Sequence, residues 1–373
     1  MAMTNTTLFL AGDVMTGRGL DQAMQHPGSP TLHEPGVRDA RRYVALAEAA
    51  HGSIPMPITP PYLWGDALAV LQGRAPVARI INLETSITTS NEWCRAKDIH
   101  YRMHPANIAC LTAAGIQVAS LANNHTLDWG RRGLAETLET LQRAGIQPAG
   151  AGRDLAEARQ PAVLPLDPVE GGAGRVLVWA VGSMTSGIPD DWAAAEHASG
   201  LDLLPEINAA AADRLAARVA AVKQRGDIAV ISIHWGSNWG FDVPEDFIQF
   251  AHRLIEGGVD LVHGHSSHHV RPIEVYRDRL ILYGCGDLID DYEGIASHGR
   301  YRSNLGVMYF PTLEVSTGQI AGLAMVPMQM RRFQLCHADD AGVNWLRDTL
   351  SRISQGFGCS VEIRQPGVLS LRW

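Results

Sequence analysis

The chain has 373 residues, is 46% hydrophobic and 19% charged, and sets 31 basic against 39 acidic residues for a formal charge of −8. This composition supports a large globular core and argues against broad, phosphate-dominated nucleic-acid binding. Cys94, Cys110, Cys285, Cys336 and Cys359 form no CxxC pair and no zinc spacing, so they read as buried thiols of a reducing compartment. No apolar run is long enough to span a bilayer and no basic-then-apolar leader opens the chain, so a cytoplasmic, non-membrane protein is expected.

In chain order, Thr7 to Asp13 is a short apolar run ending in Gly-Asp, the pattern of a buried strand that delivers a carboxylate to a loop. Residues 26–62 are rich in Pro, Gly and His around one Ala-rich helical piece, and read as an insertion of the kind that forms lids or substrate walls. Trp64 to Leu71 predicts a helix, and Ala78 to Glu84 a second strand ending in a carboxylate. Pro105 to Ala114 is helical, and Gln117 to Ala122 is a third strand running into Asn123-Asn124-His125. Arg131 to Ala144 is an amphipathic helix stopped by Gly145.

Arg175 to Val181 and Ile228 to Ile233 are further strands, the second ending at His234-Trp235-Gly236, with an Ala-rich helix over Leu204 to Gln224 between them. Phe247 to Glu256 predicts a helix, Val259 to Val262 a strand, and Leu280 to Tyr283 another, leading into Gly284-Cys285-Gly286-Asp287. Strands alternating with helices predict an α/β fold. A single domain is expected, with the insertion at about 26–62 and an extension from about 331 that carries no motif.

The stretch Leu261 to Val270 places His263, His265, His268 and His269 within seven residues, directly after an apolar strand. Histidine is the commonest metal ligand, so a catalytic metal site is the leading reading and a surface histidine patch the plain alternative. Five strands end in a potential ligand: Asp13, Glu84, Asn124 with His125, His234, and His265 with His268. In open α/β sheets the active site gathers beyond the carboxyl ends of the strands, so these residues are expected in one cleft. A mixed oxygen and imidazole set suits Mn, Fe, Zn or Ni; Ca and Mg favour oxygen alone.

This order resembles the calcineurin-like metallophosphatase superfamily, and within it the CapA-like branch. The resemblance rests on Gly12-Asp13-Val14-Met15, Asn82-Leu83-Glu84-Thr85, Ala122-Asn123-Asn124-His125, Ile233-His234-Trp235-Gly236 and Gly264-His265-Ser266-Ser267-His268. It implies a four-layer α/β/β/α sandwich with a metal site at the loops between two sheets. Three departures bear on the chemistry. Met15 stands where the superfamily's first motif has a histidine ligand. Glu84 replaces a bridging aspartate, and the second histidine of the last motif is displaced to His268. The expectation is one firmly held divalent metal (Mn, Zn, Fe or Ca) on Glu84, Asn124, His234 and His265. His268 is a displaced ligand or an acid–base group, a second ion binds more weakly if at all, and Asp13 and His125 are partly released for acid–base work or substrate contact.

A single Lewis-acidic metal beside free bases suits removal of a proton α to a carboxylate, and inversion needs a base on one face and an acid on the other. Asp13 is one candidate; the acidic loop Asp287 to His298 supplies His298 as the other, against the plain reading of a solvated loop. Arg300, Arg302 and Trp235 are the candidate substrate contacts. The chain also resembles the CapA-like epimerases of lasso-peptide biosynthesis, which implies Cα inversion of the C-terminal Trp of a precursor peptide. A metal-dependent phosphoesterase and a capsule-synthesis (poly-γ-glutamate) accessory protein are the alternatives.

Overall fold

The computed structural model describes residues 5–166, 174–295 and 299–373; His298 lies outside them. Two sheets pack face to face. The first runs, by pairing, Ser360–Gln365, Val368–Arg372, Ile320–Arg331, Leu305–Glu314, Asn5–Val14, Ala78–Leu83, Val118–Ser120 and Gln147–Ala149. Its second half is parallel and its first half antiparallel. The second sheet runs Leu203–Leu204, Arg175–Ser183, Ile228–His234, Leu261–His265, Arg279–Leu282 and Ile273–Tyr276. The three central strands Arg175–Ser183, Ile228–His234 and Leu261–His265 are parallel, with near-continuous apolar runs as expected of strands buried on both faces.

Strand alternation sorts the side chains into layers. Leu8, Leu10, Val176, Val178, Ile228, Val230 and Leu261 fill the space between the sheets. On the outer face of the first sheet, the helix Gly130–Arg143 buries Leu134, Leu138 and Leu141 at helical spacing. On the outer face of the second, the helix Glu245–Glu256 buries Phe247, Phe250, Ala251 and Leu254, each large side chain contributing about 1.5–3 kcal/mol. Helix, sheet, sheet and helix form the expected four-layer α/β/β/α sandwich.

Several boundaries differ from the sequence reading for local reasons. Leu203–Leu204 pairs as a strand, so the Ala-rich helix is Ala209–Val222 and starts where the Asn208 side chain accepts from the Ala211 N–H. Gly65 at φ +41° separates a 3₁₀ turn over Tyr62–Trp64 from the helix Asp66–Arg74. Within 26–62 there is one helix, Arg41–His51. From 331 onward, the helix Asp340–Ser354 inserts Val343, Leu346 and Leu350 between the sheets, and the hairpin Ser360–Gln365/Val368–Arg372 extends the first sheet. Among the described residues no helix is long and apolar enough to cross a membrane.

Candidate metal centre

The carboxyl ends of the parallel strands meet at one rim, as sheet topology requires. Asp13 follows a register shift after Ala11, and Gly12 permits the approach: a Cβ there would lie 1.9 Å from the Gly286 carbonyl oxygen. The Asn82 amide donates to Asp13 Oδ1 at 2.7 Å, and the Asn123 amide donates to Asn82 Oδ1 at 3.0 Å and to the Leu83 carbonyl at 2.9 Å. The side chains of the first three strand ends are thus tied to one another. From the second sheet, the register pairs His234 with His265. Ser266 follows at φ +100°, a strained turn for a non-glycine residue that redirects the chain toward His268.

These ends close on a cavity of about 250 Å³ lined by Glu84, Lys97, Asn124, His125, His234, His268 and Tyr292, among others. His234 Nδ1 lies 2.8 Å from His265 Nδ1, and His234 Nε2 lies 2.9 Å from Asn124 Oδ1 and 4.0 Å from Glu84 Oε1. One potential ligand atom each from Asp13, His234 and His265 lies within 4.8 Å of the others, and so does one each from Asp13, His268 and Asp287. Asp13, expected to stand partly free as a base, instead belongs to both groups. Its placement makes it as much a ligand candidate as a base.

Two histidine–aspartate pairs flank these groups. His125 Nδ1 lies 2.6 Å from Asp128 Oδ2, with its Nε2 3.7 Å from Glu84 Oε1. His268 Nδ1 lies 3.0 Å from both oxygens of Asp287. Their environments differ. Burial pushes His125 down to about 4, with Lys97 adding to the effect against the opposing charge of Asp128. Burial also disfavours the charged form of His268, but the charges of Asp287, Asp13 and Asp290 outweigh it and lift the group to about 9. These environments favour the neutral form of His125 and the charged form of His268 at neutral pH.

The remaining electrostatics fit a cation. Burial, then the charge of Asp287, pushes Asp13 up to about 7, and burial with Asp13 holds Glu84 well above the usual carboxylate range. Burial keeps His234 and His265 neutral, their shifts well below 6.5 reinforced by neighbouring imidazoles, so ring lone pairs are available. Asp13 Oδ2 is buried without a hydrogen-bond partner. An orphaned oxygen beside neutral imidazoles is the donor set of a divalent metal site, so the residues present fit such an ion.

The other expected contacts fall elsewhere. Trp235 follows His234, and alternation turns it to the opposite face, where it stacks on Phe247 at 4.7 Å and donates to the Tyr283 carbonyl; it is core, not substrate wall. Arg300 packs over Phe241 and Tyr301 and does not line the cavity. Arg302 lines a neighbouring cavity of about 230 Å³ that shares Tyr292 with the first. The sequence reading missed Lys97 and Asp128, which form an ion pair at 2.6 Å. Both left a signal: Lys97 is one of only two lysines in the chain, and Asp128 follows His125 by three residues.

Fold and site together define a metallophosphatase-type α/β sandwich with an imidazole and carboxylate centre between its sheets. Residues 7–292 match the family described as Bacterial capsule synthesis protein PGA_cap, and the chain belongs to that family. It is 47% identical, over 98% of its length and 95% of the relative's, to a probable polyglutamine synthesis accessory protein of Mycobacterium tuberculosis. It is 28% identical over 56% of its length, and 52% of the relative's, to the PGA biosynthesis protein CapA of Bacillus subtilis. A capsule biosynthesis protein CapA of Bacillus anthracis matches 52% of the chain, and 45% of its own length, at 24% identity. The CapA-like resemblance drawn from the motifs is borne out at the level of the family.

Proposed function

We propose that the chain is a metal-dependent accessory enzyme in the synthesis of a polyglutamine-type polymer, performing acid–base chemistry on a peptide-like chain. The role is supported by the name of the relative that is 47% identical across nearly the whole chain. The chemistry rests on one observation: His125, paired with Asp128, and His268, paired with Asp287, line the same cavity as Glu84, Asn124 and His234. A divalent ion held by Asp13, His234 and His265, with Glu84 and Asn124 beside them, would polarise a carbonyl or carboxylate oxygen. Asp128 takes the Nδ1–H of His125, which turns its Nε2 lone pair toward Glu84 as the proton acceptor. Asp287 holds His268 in the charged form as the proton donor. Such groups typically contribute about 10²–10⁴-fold each.

A second reading, Cα epimerisation of a C-terminal Trp in a precursor peptide, is favoured by Met15. A thioether in place of an imidazole weakens the two-metal arrangement that phosphoester cleavage uses while leaving an acid and a base. One experiment separates the readings. Mn-loaded protein is incubated in D2O with oligoglutamate, with polyglutamine and with a Trp-terminated precursor peptide, and bis-nitrophenyl phosphate serves as the phosphoesterase control. Metal-dependent change in the glutamyl or glutaminyl chain, as shortening or α-deuteration, is expected. Deuterium only at the last residue of the Trp peptide would establish the second reading, and nitrophenol release alone would overturn both.

A further inference from the structure

We propose that Ser232 and His263 are positioning residues that fix the tautomer of His265, and through it the affinity of the metal group; the inference rests on the metal reading above. Register pairs Ser232 with His263 and His234 with His265, and the two-residue period puts all four on the face between the sheets. One step earlier on that face sit Val230 and Leu261, both apolar. A hydroxyl and an imidazole that continue this row fully buried are costly unless every hydrogen-bonding group is matched.

Here they are matched, and in one direction only. His263 Nε2 lies 2.9 Å from the carbonyl oxygen of Ala11, on the facing sheet. A carbonyl only accepts, so His263 carries its proton on Nε2. Among the described residues His263 touches no carboxylate, and a buried imidazolium without a counter-charge is disfavoured by several kcal/mol, so its Nδ1 is a bare acceptor. The Ser232 hydroxyl, 3.1 Å away, donates to that Nδ1. The Ser232 oxygen, 2.9 Å from His265 Nε2, must then accept from it. His265 is left with its proton on Nε2 and a lone pair on Nδ1, the atom that faces His234 Nδ1 at 2.8 Å. A backbone carbonyl of one sheet thus sets which nitrogen of a ligand on the other sheet is free. Partners of this kind around metal-binding histidines change affinity by about 10–100-fold when removed.

The test uses the full chain with ¹⁵N-labelled histidine. In metal-free wild type, the His265 nitrogen shifts should show a protonated Nε2 and a bare Nδ1; an Nδ1-protonated His265 overturns the proposal without any variant. Mn and Zn affinities are then measured by competition with a chelating dye for wild type, Ser232→Ala and Ser232→Thr, with melting in EDTA as the check on folding. Ser232→Ala should mix the His265 tautomers and weaken binding about 10–100-fold, and Ser232→Thr, which keeps the hydroxyl, should recover most of the loss. Unchanged affinity in a folded Ser232→Ala overturns the proposal. Wild type that binds neither metal overturns the metal reading instead, while the tautomer remains readable by NMR.

Discussion

Arg18 offers the sharpest test of how the insertion is held against the site. Its guanidinium is buried and meets Asp291 through two nitrogens, Glu34 Oε1 at 3.1 Å and the Tyr43 hydroxyl at 3.1 Å. It also lies over the rings of Tyr43 at 3.9 Å and Tyr101 at 4.6 Å. Glu34 and Tyr43 belong to the insertion, Asp291 to the acidic loop, and Tyr101 lines the cavity. Arg18→Met keeps the volume of the stem but strands two carboxylates whose side chains are 2% and 0% exposed. Breaking a buried ion pair from one side costs about 3–5 kcal/mol, and the lost ring contacts add about 0.5–2 kcal/mol. Urea unfolding followed by Trp fluorescence should show a loss of roughly 4–6 kcal/mol, and limited proteolysis should cut first within 26–62. Adding Asp291→Asn to Arg18→Met should recover part of the loss, because one stranded charge is gone. A loss under about 1 kcal/mol, the range of an exposed pair, with unchanged proteolysis would refute the idea that this pair is the clasp.

In EDTA, Asp13→Asn should be more stable than wild type at pH 8. Burial pushes the folded carboxyl up to about 7 from its ordinary value near 3.8, so the folded state binds the extra proton and wild type gains stability as pH falls through 7. The gap at pH 8 is then on the order of 4 kcal/mol and should shrink toward pH 4; with saturating Mn the order should reverse, and a pH-independent gap would count against the buried, uncompensated carboxylate. Met15 is fully buried, with the Tyr292 hydroxyl 3.4 Å from its sulfur. Met15→His should raise metal retained after gel filtration from about one to about two ions per chain, read by elemental analysis; no increase would mean that Met15 does not limit the second site. Trp235→Phe removes the N–H donated to the Tyr283 carbonyl at 3.0 Å and should cost about 1–3 kcal/mol with metal affinity unchanged. A selective loss of metal binding would return Trp235 to the site.

The sandwich was legible because its parallel strands are continuous apolar runs ending in polar residues, and the order of those endings is specific. What sequence could not supply was facing. His234 and Trp235 are neighbours in the chain, yet the two-residue period puts one on the cavity and the other in the outer core. Asp128 and Lys97 reach the site through the turn after Asn124 and a loop with no strand signal, so no strand-end pattern pointed to them. The C-terminal helix and hairpin had no chemistry to announce them, because their role is to close the sandwich edge with Val343, Leu346 and Leu350.

The division of labour within the cavity follows from where imidazoles gather and where carboxylates do. Around His234 the structure gathers His265, Asn124 and Glu84, neutral or charge-suppressed groups with lone pairs, and the nearby Lys97 ammonium is paired to Asp128 at 2.6 Å. Around His268 it gathers Asp287 and Asp13, with Asp290 adding its charge, so that imidazole keeps its proton. An additional histidine at position 15 would be another donor competing for a cation near Asp13. With Met15 there, nothing in its thioether favours a hard ion over the proton on His268. The half with neutral imidazoles is thus suited to a metal and the carboxylate-rich half around His268 to a protonated imidazole.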